Sequence, residues 1–124
     1  MVFVLYDIIY LEGDNMKIDY KNMSTTVLKN FNNGEGQLNA KLHVDELNKI
    51  LYGVLPKGSS IGLHTHETSS EIIYILKGNG LIICDGEDEI VNPGSLHYCK
   101  KGSSHTFINN GEEDIEFVAV VPNQ

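Results

Sequence analysis

The sequence predicts an all-β domain that closes as a barrel or sandwich. Val, Ile, Leu and Tyr are abundant, turn-forming glycines recur between short apolar segments, and no window shows sustained helical periodicity. The chain has 124 residues, of which 41% are apolar and 21% charged, ordinary values for one globular domain with a sizeable core. We therefore assign residues 16–124 to a single domain.

Regular alternation begins at Gln37, where "QLNAKLHVDEL" puts every second, apolar residue on one face of a strand. Turn residues separate the segments that follow. The tripeptide Gly78-Asn79-Gly80 tolerates positive φ, so the segments on either side of it are expected to pair antiparallel. The polar stretch "DNMKIDYKNMSTTVLKNFNNGEG" is either loop or irregular strand. The further predicted strands are "KILYGVLP", "SIGLHTH", "EIIYILK", "LIICD", "DEIVN", "SLHYC", "HTFIN" and "DIEFVAVV".

Residues 1–15 begin with the apolar segment "MVFVLYDIIYL". It is too short to span a bilayer and lacks the basic flank of a signal peptide. One interpretation is an added β-strand. The other makes Met16 the natural start and residues 1–15 a translated leader, because "LEGDN" can be encoded as a purine-rich ribosome-binding stretch. Intact mass of the native protein separates the two.

The formal charge of −8 comes from 17 acidic residues against nine basic residues, all of them lysine. Nucleic-acid surfaces need clustered positive charge, so this class of partner is excluded, and nothing indicates a membrane protein. Without arginine, an anionic ligand has to be held by metal, lysine or backbone. The two cysteines, Cys84 and Cys99, are interpreted as reduced thiols that pack in a cytoplasmic protein, with a redox pair as the alternative.

Two histidines, His64 and His66, lie two residues apart in an extended segment, so both imidazoles point the same way. Glu71 follows a short polar turn and can fold back beside them. His105, at a predicted strand start, is the candidate for a fourth ligand. Three imidazoles and a carboxylate suit one divalent transition metal, Mn, Fe, Ni, Co or Zn, with one or two positions open for a small-molecule ligand.

These residues resemble the first motif of the cupin superfamily. Gly58, His64, His66, Glu71 and Gly78 follow one another at that motif's spacing, with four residues between the second histidine and the glutamate. The resemblance implies a small single-domain cupin, a double-sheet antiparallel jelly-roll β-barrel that uses this ligand set.

A second stretch, from Gly94 to Asn109, resembles the second cupin motif. Gly94, Gly102, His105 and Asn109 fall at the required positions, while Lys100 stands where the family usually has proline. That departure concerns the turn and not the ligands. The resemblance also suggests a homodimer, in which the N-terminal strand covers a partner's sheet edge.

Residues that share strand parity with the ligands are the best candidates for the pocket wall, and Asn109 is expected to support a turn or the ligands. His43, which shares a face with charged residues, is interpreted as structural or solvent-exposed. The pocket candidates are Ile73, Ile75 and Phe107. Weak candidates for proton transfer are Tyr52, His97 and Tyr98.

Two functions remain in competition, with a purely structural metal as a third and weaker interpretation. The first is a metalloenzyme with dioxygenase-, isomerase- or lyase-type chemistry, in which a metal-bound oxygen of the substrate is polarised. The second is a cupin that binds or senses a small molecule without turning it over. The fold does not decide between them.

Overall fold

Ten β-strands and two short 3₁₀ turns form the part of the chain that the computed structural model describes, residues 16–124. The hypotheses of an added strand and of a leader both concern residues 1–15 and lie outside the described residues. No helix in residues 16–124 is long and apolar enough to cross a membrane. The strands are β1 (Thr26–Lys29), β2 (Gln37–Val44), β3 (Asn48–Leu55), β4 (Ser60–Thr65), β5 (Glu71–Lys77), β6 (Gly80–Cys84), β7 (Glu87–Val91), β8 (Leu96–Cys99), β9 (Ser104–Ile108) and β10 (Ile115–Pro122).

The strands form two antiparallel sheets. The larger sheet has the order β1-β2-β3-β10-β5-β8, and the smaller has the order β4-β9-β6-β7. Consecutive strands β3, β4, β5 and β6 alternate between the two sheets, so the chain repeatedly crosses the barrel. The predicted all-β jelly roll is confirmed.

Side-chain alternation explains why the core lies between the sheets. In β2, Leu38 and Ala40 are buried, while the residues between them are partly exposed. In β10, Ile115, Phe117 and Ala119 face the same interior. Because successive side chains of a strand point to opposite faces, β2 and β10 each supply an apolar row to one common core.

The polar stretch that was expected to be either loop or irregular strand contains β1 and the two 3₁₀ turns, Tyr20–Asn22 and Phe31–Asn33. Within residues 16–124, β1 is a four-residue edge strand that pairs with β2 alone, and most of its side chains are exposed. A strand this short and this exposed carries no alternation signal. The turn at Phe31–Asn33 folds back onto β4, where the Ser60 N–H donates to the Glu35 carbonyl.

Asn109 ties the turn after β9 to the end of β3. Its Nδ2 donates to the carbonyl oxygens of Leu55 at 2.9 Å and Glu113 at 2.8 Å, and its Oδ1 accepts from the Gly111 N–H at 3.0 Å. The side chain is buried. The structure thus places Asn109 in a turn, as a backbone-bonding residue.

We expect Asn109→Ala to lower the free energy of unfolding by about 2–4 kcal/mol, because the buried Leu55 carbonyl and the partly buried Glu113 carbonyl each lose a donor. Urea denaturation measures this loss. The control is Asn22→Ala, which removes one exposed hydrogen bond to Asp19 and is expected to change stability by less than about 0.5 kcal/mol. Equal losses in the two variants would contradict the structural role of Asn109.

Candidate metal centre

The pairing of β4 with β9 brings two of the predicted ligands together. His64 lies directly opposite His105 in this register, after a shift in pairing between Ile61 and His64. His66 follows the end of β4, where its backbone N–H donates to the Ser103 carbonyl at 3.0 Å. The smaller sheet and its adjoining turn therefore carry all three imidazoles.

Glu71 reaches the same point from the larger sheet, as the first residue of β5. Its Oε1 lies 3.1 Å from Nε2 of His66 and 3.0 Å from Nε2 of His105. The His105 Nε2 is also 3.1 Å from Nε2 of His66 and 3.1 Å from Nε2 of His64. The structure thus brings all four predicted ligand residues together, with one donor atom of each within 4.8 Å of the others.

These separations fit a common metal ion. Nitrogen and oxygen ligands lie about 2.0–2.2 Å from a divalent ion such as zinc, so two cis ligands are about 3 Å apart. Hydrogen bonds between the four side chains explain these short separations less well than a shared metal ion does. His64 Nδ1 must donate to the Gly62 carbonyl at 2.7 Å, because a carbonyl only accepts, and neutral His64 therefore turns an Nε2 lone pair toward the cluster.

Neighbouring groups hold the other two imidazoles through their second ring nitrogens. His66 Nδ1 is 2.9 Å from the Ser69 hydroxyl. His105 Nδ1 is 2.9 Å from Nε2 of His97, whose Nδ1 is in turn 2.7 Å from Oε1 of Glu89. Such contacts set the tautomer and ring orientation of metal-binding histidines.

The surroundings of Glu71 and His64 favour the protonation states in which these two groups bind metal. Burial opposes the charged form of Glu71, but hydrogen bonds from His105 and His66 outweigh this effect and lower its pKa to about 2. Burial is also the main reason that the pKa of His64 is lowered. An anionic carboxylate and a neutral imidazole are the forms that bind metal.

A cavity of about 620 Å³ opens onto the cluster. Its lining includes the polar residues His64, His66 and Glu71 and the apolar residues Leu38 and Leu51. A smaller cavity of about 30 Å³ shares several of these lining residues and also touches His105. The larger cavity gives a small molecule access to three of the four donor residues.

The predicted pocket residues lie close to this region. Ile73 and Phe107 line the smaller cavity, whereas Ile75 is buried in the hydrophobic core and is not among the lining residues. Of the proton-transfer candidates, Tyr52 donates to Glu116 at 2.6 Å, and this hydrogen bond is the main reason its pKa is raised to about 12. Tyr98 lies on the exposed face of β8.

His97, the third of these candidates, lies behind His105. Its side chain is buried, and both ring nitrogens are occupied by the contacts to Glu89 and His105. The structure therefore places it in a supporting position, out of contact with the large cavity.

Several residues of the site were missed from the sequence. Lys49 and Glu67 line the large cavity, and Ser69 and Glu89 bond to ring nitrogens. The position of Lys49 could have been inferred from the sequence, because Lys49 lies two residues before the buried Leu51 and so falls on the same face of β3. The other three carry no such signal, since their positions depend on the turn after β4 and on the packing of β7 against β8.

Comparison with known proteins agrees with this geometry. Residues 51–121 match the family model described as a cupin domain. The oxalate-binding protein of Thermotoga maritima is 32% identical over 116 residues, covering 89% of this chain and 96% of that protein. The crystal structure of a predicted oxalate decarboxylase from Thermotoga maritima has a TM-score of 0.83 and 30% identity, covering 88% of this chain and all of that one. An uncharacterised protein of Methanocaldococcus jannaschii is 27% identical over 103 residues, covering 83% of this chain and 82% of that protein.

Proposed function

The chain belongs to the cupin family, and from that premise we propose that it binds oxalate, or a similarly small dicarboxylate, through a divalent metal ion. The residues that would hold the ion are His64, His66, Glu71 and His105. One observation carries the proposal: three of these residues, His64, His66 and Glu71, line a cavity whose lining also includes Lys49. When bound, the ion supplies positive charge and open coordination positions for carboxylate oxygens.

The number of protein donors to the metal suits a ligand that chelates through two oxygens. Four protein donors leave two positions on a six-coordinate ion, and oxalate offers one oxygen from each of two adjacent carboxylates. The remaining negative charge needs a cation, and the sequence has no arginine to supply it. Lys49, an exposed residue at the start of β3, lines the same cavity, and we assign to its ammonium group the neutralisation of the outer oxygens.

The relatives support the same ligand class. A relative from Thermotoga maritima is named as an oxalate-binding protein, and a crystal structure from the same organism is described as that of a predicted oxalate decarboxylase; each match covers nearly nine-tenths of this chain. Apolar lining residues such as Phe31 and Leu38 would lower the local dielectric and so strengthen the attraction between the metal and a carboxylate ligand.

Calorimetric titration tests the proposal. Protein stripped of metal and reloaded with Mn²⁺ is expected to bind oxalate at one equivalent per chain, and metal-free protein is not. Malonate, which makes a larger chelate ring, should bind more weakly, and acetate, with one carboxylate, weaker still. Equal oxalate affinity with and without metal would overturn the proposal.

Lys49→Met tests the contribution of charge. We expect oxalate affinity to fall about two- to fivefold, as for the loss of a solvent-screened charge interaction. Metal affinity should stay unchanged, because Lys49 is not a ligand. The matched control is Lys57→Met, beyond the opposite end of β3, where the lysine pairs with Glu112. A greater loss in the control variant would contradict the assigned role of Lys49.

Turnover of the dicarboxylate is the second candidate function, and the position of Glu67 at the cavity favours it. Decarboxylation of oxalate breaks one carbon–carbon bond, releases carbon dioxide and places a proton on the remaining carbon to give formate. Glu67 is an ionisable group on the cavity lining that can deliver such a proton. Formate production by the Mn²⁺-loaded protein, lost in Glu67→Gln, would support this candidate. Tight binding without formate would leave binding as the function.

A further inference from the structure

A second cluster of metal-binding side chains lies behind the first. One donor atom from each of Cys84, His97 and Cys99 falls within 4.8 Å of the other two. Cys84 ends β6 in the smaller sheet, whereas His97 and Cys99 occupy alternate positions of β8 in the larger sheet. The two β8 side chains therefore share a face, and the two sheets meet at these three donors.

The cluster combines burial with its own route to solvent. His97 and Cys99 are buried, and Cys84 is half-buried. A cleft of about 310 Å³ reaches Cys84 and Glu89, and none of its lining residues line the large cavity of the first site. An ion can therefore enter without passing through the proposed oxalate cavity.

The donor chemistry differs from that of the first site. Two sulfurs and one imidazole prefer soft or borderline ions, whereas three imidazoles and a carboxylate accept harder ones such as Mn²⁺. Two cysteines and one histidine also form a known zinc ligand set, with a fourth position left for water or another oxygen donor. The carboxylate of Glu89 is 2.7 Å from His97 Nδ1 and is close enough to act as that donor or to orient the imidazole.

We propose that Cys84, His97 and Cys99 form a second metal site that selects a thiophilic divalent ion, with Zn²⁺ as the biological candidate. Binding is a substitution without electron transfer. Two S–H bonds break, two sulfur–metal bonds form, and the two protons pass to the buffer. The site is distinct from the centre proposed to bind oxalate and does not depend on that function.

The two sites are expected to be coupled through shared contacts. Cys84 lies opposite His105 in the pairing of β6 with β9, and Cys99 lies opposite Glu71 in the pairing of β5 with β8. Both ring nitrogens of His97 are engaged, so an ion bound to His97 replaces its contact with either Glu89 or His105. An ion bound at the second site therefore changes how His97 holds His105, a proposed ligand of the first site.

Cadmium titration of the reduced, metal-free full-length chain tests this proposal, because thiolate–cadmium bonds give a charge-transfer absorption band that histidine and carboxylate ligands do not. The band is expected to saturate with one thiolate-bound ion per chain. It should persist in His66→Ala, which loses a ligand of the first site only. In Cys84→Ser it should fall by at least half, with an affinity at least about tenfold weaker.

Three results would overturn the second site. The first is the absence of the band in wild-type protein whose two thiols are shown to be free by titration. The second is an unchanged band in Cys84→Ser. The third is saturation at half an ion per chain, which would indicate a site between two molecules. Because Cys84 is only half-buried, its serine variant is expected to fold, and thermal unfolding checks this. His97→Ala provides a second variant and should also weaken cadmium binding.

Discussion

His105→Ala is expected to weaken divalent-metal binding by more than about 100-fold, the upper range for removal of a group that only supports a ligand. The reason is the central position of this residue. Its Nε2 lies 3.0–3.1 Å from one donor atom each of His64, His66 and Glu71. Removal of the imidazole takes away a ligand and leaves the remaining donors without their common neighbour. Competition with a chelator of known affinity measures the change.

The control for this experiment is His43→Ala. His43 is partly exposed on β2, and its Nε2 is 3.1 Å from an oxygen of Asp45. Its replacement should leave metal affinity unchanged. Circular dichroism establishes that the His105→Ala protein is folded. A folded variant that retains wild-type metal affinity would show that the ligand assignment is wrong.

Gly62→Ala is expected to lower the free energy of unfolding by about 3 kcal/mol, at the upper end of the usual cost of overpacking. A Cβ at this position would overlap the carbonyl oxygen of Asn32 and lie 2.8 Å from the amide nitrogen of Gly34. Both groups are backbone, so rotation of a side chain cannot relieve the contact. Chemical denaturation measures the loss.

The same substitution is expected to weaken metal binding. The Gly62 carbonyl accepts from Nδ1 of His64 and thereby orients the ring. The control is Gly94→Ala, where a Cβ meets nothing within 4 Å and the cost, about 1–2 kcal/mol, comes only from a φ of 94°. Gly94→Ala should retain wild-type metal affinity. If Gly62→Ala costs no more stability than Gly94→Ala, the close packing at Gly62 has no energetic importance.

The metal cluster was accessible from the sequence because its geometry is largely local. Two histidines at a spacing of two residues share one face of an extended segment, and a short turn returns Glu71 to the same end of the barrel. His105 required more than periodicity, since it lies 39 residues after His66 along the chain. Its place at a predicted strand start made it the candidate, and the spacing of the second cupin motif agreed with that choice.

The residues that support the metal ligands, such as His97 and Glu89, are positioned by tertiary packing. The sequence pattern therefore contains little indication of their role. In β8 the apolar residues Leu96 and Tyr98 face outward, while His97 faces inward, the reverse of the usual pattern. This reversal is possible because the inward histidine finds polar partners on both ring nitrogens. An alternation rule alone cannot anticipate such a buried polar chain, and the same limit explains why Glu89 was missed.

The origin of the ligands in both halves of the barrel has a consequence for stability. Three imidazoles come from β4, its adjoining turn and β9, whereas the carboxylate comes from β5 in the opposing layer. A bound ion would therefore link the two sheets. Unfolding that separates the sheets would have to break metal–ligand bonds. By mass action, free metal at 100 times its dissociation constant would add about 2.7 kcal/mol to the native state. We therefore expect the resistance of the molecule to heat and proteases to rise with the concentration of free metal in its surroundings.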